Sequence, residues 1–274
     1  MRQARVPFRF VGGGVSEKNR QGKLSARDRI AADRRREEAR EKRRKSLVMG
    51  AVVLGVLVVV GGVGAAVTIG KKGSTDSAGP LVAPKGATGE DGLAIPLGEK
   101  SAPSVLTIWE DFRCPACAQF ENGFRSTVHE LTASGKLRVE YHLATLIDGN
   151  MGGSGSATAA NAALCAQDEG KFPAYHDVLY ANQPAETTDP YAEPDKLLAL
   201  AKKVKGLDTP AFRDCVSGNT HRAWVAKSNE KFQQGDFRGT PTVILDGKDV
   251  FKNPKPAFTP ERLKELVEEK AAKG

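Results

Sequence analysis

An uninterrupted run of 24 residues without a charged side chain, residues 47–70, constrains this 274-residue chain more than any other feature. As a helix the run would be about 36 Å long, which exceeds the roughly 30 Å of a bilayer's hydrocarbon core. Four basic residues (42–45) precede it, whereas only two (71–72) follow it. Because the more basic flank stays in the cytoplasm, the sequence predicts a single-pass cell-membrane protein with a cytoplasmic N-terminus and an extracytoplasmic C-terminal part.

A cleaved signal peptide is the alternative interpretation of this run. The apolar core of a signal peptide is normally about 7–15 residues long and follows a short charged segment. Here the apolar run has 24 residues and 46 residues precede it, which favours an uncleaved anchor, although residues 63–65 resemble a cleavage site. Lipidation of a signal-peptide cysteine is excluded, because no cysteine precedes Cys114.

The net charge of +8 is confined to the N-terminal tail, residues 1–46, which holds 16 of the 41 Lys and Arg and 6 of the 33 Asp and Glu. The remainder is nearly neutral, so nucleic acid is not an expected partner. We expect the tail to be disordered to helical and to contact membrane lipid; a specific cytoplasmic partner is the alternative. Gly, Ser, Pro and Ala dominate residues 71–90, which predicts a flexible linker before one folded domain, residues 91–272.

The folded domain begins with a predicted strand, helix and second strand. An apolar run predicts a buried strand at 104–112, and apolar residues at helical spacing predict a helix at 114–134. Strict alternation of apolar and polar residues predicts a half-buried strand at 137–143. The inner face of the predicted helix carries Phe120, Phe124, Val128 and Leu131.

A predicted helical block, about residues 150–238, separates these elements from a hairpin and a last helix. Thr209-Pro210 and Thr259-Pro260 are typical helix starts, with an N-cap followed by proline at the first helical position. Asp246-Gly247 predicts a tight turn between strands at 242–245 and 250–251. The further predicted helices are 156–167, 210–217 and 220–234, and the last helix should bury Leu263, Leu266 and Val267.

Cys114 and Cys117 lie where the first predicted strand meets the first helix. Unpaired backbone N–H groups and the helix dipole at that position lower the pKa of the first thiol, and the second thiol can then form or resolve a disulfide with it. A structural zinc site needs a second cysteine pair or a histidine pair, and Cys165, Cys215 and the four histidines lack such spacing, so no metal is expected. A purely structural disulfide in the four-residue loop is the other alternative.

Two separated segments, residues 109–117 and 238–243, resemble the DsbA-like branch of the thioredoxin superfamily, in its membrane-anchored type from high-GC Gram-positive bacteria. Residues 162–165 and 171–177 are similar to the helical insertion of this branch. The resemblance spans roughly residues 90–272. It implies an α/β, thioredoxin-like fold with an inserted helical subdomain, here preceded by a single transmembrane helix.

By this resemblance, Cys114 is the attacking cysteine and Cys117 the resolving one. Pro241 would be a cis-proline beside the pair, following Thr240, where the turned backbone lets a substrate pair as an added strand. A proline that simply starts an edge strand is the alternative.

The sequence departs from the family pattern between the two cysteines. Strongly oxidising members carry Pro-His there, whereas this chain has Pro115 and Ala116, so we expect a less oxidising active-site loop. Glu110 or Asp111 would be the acid that shuttles protons to the resolving thiol; strand parity and surface exposure explain these two residues equally well.

Cys165 and Cys215 lie on two predicted helices of the insertion, where similar family members have a second, structural disulfide. Two separate buried thiols are the alternative.

The resemblance implies an enzyme, a thiol:disulfide oxidoreductase that introduces disulfides into exported unfolded or reduced proteins and needs no cofactor of its own. A quinone-linked membrane oxidase would reoxidise it. The alternatives are an extracytoplasmic reductase or isomerase, and a thioredoxin-fold sensor or binding module without catalytic turnover.

Overall fold

Five strands form one mixed sheet at the centre of the domain. The structure, a computed structural model, describes residues 80–89, 91–252 and 257–273. The strand order is β1-β3-β2-β4-β5, in which β2 and β3 are parallel and the other neighbours antiparallel. The strands are β1 (Ile95–Leu97), β2 (Ser104–Glu110), β3 (Leu137–Leu143), β4 (Thr242–Leu245) and β5 (Lys248–Asp249).

Eight α-helices surround the sheet in the described part of the chain. Helix α1 packs against β3, α4 and α8, while α3 contacts most of the other inserted helices. The helices are α1 (Pro115–Ala133), α2 (Leu146–Met151), α3 (Gly155–Asp168), α4 (Phe172–Ala181), α5 (Pro194–Ala201), α6 (Pro210–Ser217), α7 (Arg222–Gln234) and α8 (Pro260–Ala271), with a short 3₁₀ turn at Pro190–Ala192. The predicted thioredoxin-like fold with a helical insertion is confirmed.

The local sequence signals explain most of these elements. The alternation in β3 buries every second residue, as predicted. The hydroxyls of Thr209 and Thr259 accept hydrogen bonds from backbone N–H groups in the first turns of α6 and α8, as N-caps do. The side chains of α3 are mostly small alanines, so six other helical segments pack closely against α3 and bury it on nearly all sides. The first predicted strand ends two residues early, at Glu110.

The hairpin is confirmed, but its second strand was placed wrongly. Asp246 and Gly247 have φ values of 51° and 82°, the left-handed backbone of a two-residue turn. Pairing therefore resumes at once, at Lys248–Asp249 and not at residues 250–251. The short strand β1 had not been predicted, since three residues carry too little periodicity.

The folded region extends further toward the N-terminus than the linker prediction placed it. The Lys85 backbone N–H donates to Asp168 Oδ1 at 2.7 Å, and His221 Nδ1 lies 3.0 Å from the Val82 carbonyl oxygen. These contacts fasten residues 82–85 to the insertion. No helix within 80–89, 91–252 or 257–273 is long and apolar enough to cross a membrane; the predicted tail and transmembrane helix lie outside the described residues.

Candidate functional site

Cys114 and Cys117 lie at the junction that the sequence predicts, between β2 and α1. Cys114 is the N-cap of α1, with Pro115 at the first helical position. The Cys114 backbone N–H donates to the Asp111 carbonyl oxygen at 3.0 Å, which closes the turn between strand and helix. Cys114 retains 6% of its accessible surface and Cys117 none. Both are free thiols in the structure, so only Cys114 is open to attack by another molecule.

The loop before β4 lies directly against the first cysteine. The Thr240–Pro241 bond is cis, and the Cys114 thiol donates to the Thr240 carbonyl oxygen at 3.2 Å. A groove of about 290 Å³ runs along this loop. It is lined by residues 236–242, Ala116, Asp249, Phe251 and Lys252.

The surroundings of Cys114 favour its thiolate. A hydrogen bond from the Cys117 thiol is the largest influence, and it lowers the pKa of Cys114 from 9.0 to about 6 although burial opposes the shift. Thr240 Oγ1 is buried without another hydrogen-bond partner among the described residues, so it is free to donate to the thiolate. The backbone N–H groups of Ala116 and Cys117, at the start of α1, act in the same direction.

Cys117 has the opposite environment. Its complete burial raises its pKa well above 9.0, and the hydrogen bond to Cys114 and the negative charges of Cys114 and Glu110 raise it further. One thiol of the pair is therefore ionised at neutral pH and the other holds its proton. This is the division of roles that an attacking and a resolving cysteine require.

We expect the alkylation rate of Cys114 to report this difference. In the reduced protein the rate should be low below pH 6, half-maximal near the Cys114 pKa of about 6 and constant above about pH 7.5, because the thiolate is the nucleophile. Iodoacetamide labelling followed by mass spectrometry measures it for each cysteine. Thr240→Val, which removes only a hydroxyl donor, should move the midpoint upward; a wild-type midpoint near pH 9 would contradict the assignment.

Three buried ionisable side chains meet near Cys117: Glu110 from β2, Glu121 from α1 and His176 from α4. The fraction exposed is 0%, 5% and 2%, respectively. His176 Nε2 lies 2.8 Å from Glu110 Oε1. Burial alone would lower the pKa of His176, but the negative charge of Glu110, the nearby Asp177 carboxylate and the hydrogen bond with Glu110 outweigh it and raise the pKa to about 10. We refer to these three residues as the buried acid cluster.

The two acids considered as proton shuttles have different surroundings, and neither is exposed. Both oxygens of Asp111 are occupied, because Oδ1 accepts from the Arg113 N–H and Oδ2 from the Ile147 N–H, at 2.8 and 2.9 Å. Asp111 thus holds the turn before Cys114, and burial raises its pKa to about 6. Glu110 keeps one oxygen, Oε2, without a hydrogen-bond partner among the described residues. Glu110 is the better placed of the two to exchange a proton.

Two long polar side chains hold the insertion against the cysteine turn. Arg113 is 3% exposed and pairs with Asp148 at 2.7 Å and Asp189 at 3.2 Å. Gln183 Nε2 donates to the Phe112 and Cys114 carbonyl oxygens at 2.9 and 3.0 Å. The backbone is therefore held in place at Phe112 and Cys114, the residues directly before and after Arg113.

Cys165 and Cys215 form a disulfide that joins α3 to α6. Their sulfur atoms and a nitrogen of His221 lie within 4.8 Å of one another, and the ligand atoms of the buried acid cluster are equally close. These are the two groups in the described residues with metal-compatible spacing. The first has its sulfurs bonded to each other, so it offers no thiolate ligands; in the second, His176 Nε2 is already engaged with Glu110.

A thiol pair at a strand–helix junction, faced by a prolyl loop in a five-stranded sheet with a helical insertion, defines the class of thiol:disulfide oxidoreductases with a thioredoxin-like fold. A sequence model of the family described as Thioredoxin matches residues 90–269, so the chain belongs to the thioredoxin family.

The similar proteins and solved structures agree with this class. The chain is 27% identical over 155 residues to the probable disulfide bond formation protein D of Bacillus cereus, covering 55% of this chain and 69% of that protein. It is similar in structure to the disulfide bond oxidoreductase DsbG of Mycobacterium tuberculosis, with 26% identity, a TM-score of 0.56 and coverage of 65% and 87%. The thiol-disulfide oxidoreductase MdbA of Actinomyces oris gives the same identity and TM-score, with coverage of 65% and 88%. The chain is a DsbA-like thiol:disulfide oxidoreductase.

The sequence patterns did not indicate Glu121. They included His176 only among the four histidines without metal-ligand spacing and within the family segment 171–177. Glu121 follows Cys117 by four residues, which puts both on one face of α1. That spacing within a buried helical face was the available signal.

Proposed function

We propose that Cys114 and Cys117 are the redox centre and that the protein introduces disulfides into exported proteins. The observation that carries this proposal is the low pKa of Cys114 beside the high pKa of Cys117. A stabilised Cys114 thiolate stabilises the reduced enzyme relative to its disulfide. A disulfide whose reduced form is stabilised is a stronger oxidant, so the lowering of the Cys114 pKa from 9.0 to about 6 is in the direction that an oxidase requires.

The proposed reaction transfers one disulfide in two exchanges. A substrate thiolate attacks Cys114 Sγ of the enzyme disulfide, and the Cys117 thiolate leaves and takes up a proton. A second substrate thiolate then attacks the substrate sulfur of the mixed disulfide, forming the substrate disulfide and releasing the Cys114 thiolate. The substrate is oxidised by two electrons and the cysteine pair is reduced by two. The groove beside Thr240 is where the extended substrate chain would lie.

Glu110 is the proposed proton carrier for Cys117. We expect Glu110→Gln, which keeps the size and a hydrogen-bonding group, to slow the step in which Cys117 gains or loses its proton by about 100-fold, the lower end of the roughly 10²- to 10⁴-fold contribution of a positioned acid–base group. Stopped-flow kinetics of Cys117 disulfide formation measure this step. Glu140→Gln, on the neighbouring strand β3, is the control; equal effects from both substitutions would argue against a specific role.

Mapping the paired cysteines in protein taken from cells tests the direction of electron flow. Rapid acid quenching, thiol blocking and mass spectrometry report each pair. An oxidase should carry both the Cys114–Cys117 and the Cys165–Cys215 disulfides. A protein with only Cys165–Cys215 oxidised would be a reductase or isomerase and would overturn the proposed direction.

The proposed location is the extracytoplasmic face of the cell membrane. The uncharged run at residues 47–70 and its uneven basic flanks support an uncleaved anchor, and a quinone-linked membrane oxidase would then reoxidise the pair. Carbonate washing of membranes should leave the full-length chain in the pellet, and external protease should digest its C-terminal domain in spheroplasts. Release by carbonate, or a mature chain lacking residues 1–65, would contradict the anchor.

A further inference from the structure

Two carboxylates of the buried acid cluster lie close together, because one oxygen each of Glu110 and Glu121 and a nitrogen of His176 lie within 4.8 Å of one another. Glu110 Oε2 and Glu121 Oε1 are buried and lack a hydrogen-bond partner among the described residues. Carboxylate oxygens only accept hydrogen bonds, so two of them satisfy each other only when one carries a proton. Burial and the negative charge of Glu110 raise the pKa of Glu121 well above its usual range. Glu121 is therefore the carboxyl group of the pair that carries the proton. The cluster therefore holds a proton inside the fold.

A row of polar groups leads from this cluster to solvent. His176 Nδ1 lies 3.8 Å from Asp177 Oδ1, and Asp177 Oδ2 lies 3.3 Å from His129 Nε2. The Asp177 side chain is 22% exposed and that of His129 is 45% exposed. The row crosses from α4 to α1 and connects the fully buried Glu110 carboxylate with the partly exposed His129 imidazole. Neither Asp177 nor His129 lines the groove beside Thr240.

Other ionisable groups surround His176 and belong to the same electrostatic unit. Tyr141 contacts its ring with centroids 4.7 Å apart, and Tyr180 at 5.0 Å. Arg125 Nε pairs with Asp177 Oδ1 at 3.2 Å. The ionisable groups that face His176 are Glu110 from β2, Glu121 from α1, Tyr141 from β3, and Asp177 and Tyr180 from α4. Arg125 and His129 of α1 contact Asp177.

We propose that the buried acid cluster is a proton store for Cys117, refilled and emptied through Asp177 and His129. The proposal rests on the proposed redox role of the cysteine pair. During substrate oxidation the proton held by Glu121 passes through Glu110 to the leaving Cys117 thiolate, and a proton from solvent replaces it through His129, Asp177 and His176. When Cys117 closes the disulfide, the proton moves in the reverse direction. We call Asp177 and His129 the outlet. Because neither of them lines the groove, proton exchange continues while a bound substrate covers Cys114.

The test uses the reaction of the reduced, detergent-solubilised full-length chain with 5,5′-dithiobis(2-nitrobenzoic acid). Attack by Cys114 releases one thionitrobenzoate, and the subsequent attack by Cys117 on the mixed disulfide releases a second, so one absorbance trace separates the two steps. Asp177→Asn and His129→Ala interrupt the outlet at partly exposed positions. Asp208→Asn is the matched control, because Asp208 is also 22% exposed in the insertion and pairs with an arginine.

Near pH 7, we expect the second release of thionitrobenzoate to slow by about fivefold in both outlet variants, while the first release is unchanged. The effect is smaller than that of a positioned acid–base group because these residues act at a distance from Cys117. Added imidazole should restore the second phase in His129→Ala, and Asp208→Asn should behave as wild type. An unchanged second phase in both outlet variants from pH 6 to 9, or equal slowing of both phases, would overturn the proton store. A wild-type chain that releases no second thionitrobenzoate would instead overturn the redox role itself.

Discussion

Replacing Cys114 by serine should abolish disulfide transfer to a reduced, unfolded secreted protein. A serine hydroxyl neither ionises near neutral pH nor forms a mixed disulfide, so the first exchange cannot occur. The reduced substrate is allowed to refold with the variant, and the enzymatic activity that the substrate regains measures the rate of disulfide transfer. The remaining rate should equal the rate without enzyme.

Replacing Cys117 by serine gives the complementary result. Cys114 remains reactive but has no resolving partner, so mixed disulfides with substrates should accumulate and be visible on non-reducing gels. The Cys114→Ser variant should show none of these adducts. A cell phenotype that is unchanged in Cys114→Ser but lost on deletion of the domain would favour a binding module over an enzyme.

The double substitution Cys165→Ala/Cys215→Ala should lower the free energy of unfolding by about 4 kcal/mol, the chain-entropy value for a loop of this size. The two cysteines are 50 residues apart in sequence. The disulfide ties α3, the most buried helix of the insertion, to α6. Urea unfolding of the domain, followed by circular dichroism, measures the change.

Two controls separate a structural from a catalytic role for this disulfide. Cys114→Ala/Cys117→Ala should leave the urea midpoint close to that of the wild type in which Cys114 and Cys117 are reduced and the Cys165–Cys215 disulfide is intact. The alkylation midpoint of Cys114 should remain near its pKa of about 6 in Cys165→Ala/Cys215→Ala. An unchanged urea midpoint in that variant would contradict the structural role.

Local patterns in the sequence predicted much of the framework around the site. The β2–α1 junction follows from an apolar run that ends at Cys114-Pro115, because proline favours the first helical position. The alternation in β3 and the Asp246-Gly247 turn are equally local signals, and both elements form as predicted. The second hairpin strand was displaced because the turn, and not the apolar residues beyond it, sets where pairing resumes.

The proton chemistry of the site depends on contacts that local patterns do not contain. Glu110 and His176 are 66 residues apart, and the Cys114 thiol meets Thr240 across 126 residues. Strand parity alone did not distinguish Glu110 from Asp111, because the chain turns immediately after β2 and buries both. Ala116 offers no side-chain donor, yet Cys117, Thr240 and the backbone N–H groups still lower the pKa of Cys114.

The reduction potential of the Cys114–Cys117 pair decides between an oxidase and a reductase. Equilibration of the full-length chain with glutathione buffers, acid quenching and mass spectrometry give the potential without interference from Cys165–Cys215. We expect a value nearer to the about −120 mV of DsbA than to the about −270 mV of thioredoxin. A value close to that of thioredoxin would contradict the oxidase and would identify the protein as a reductase.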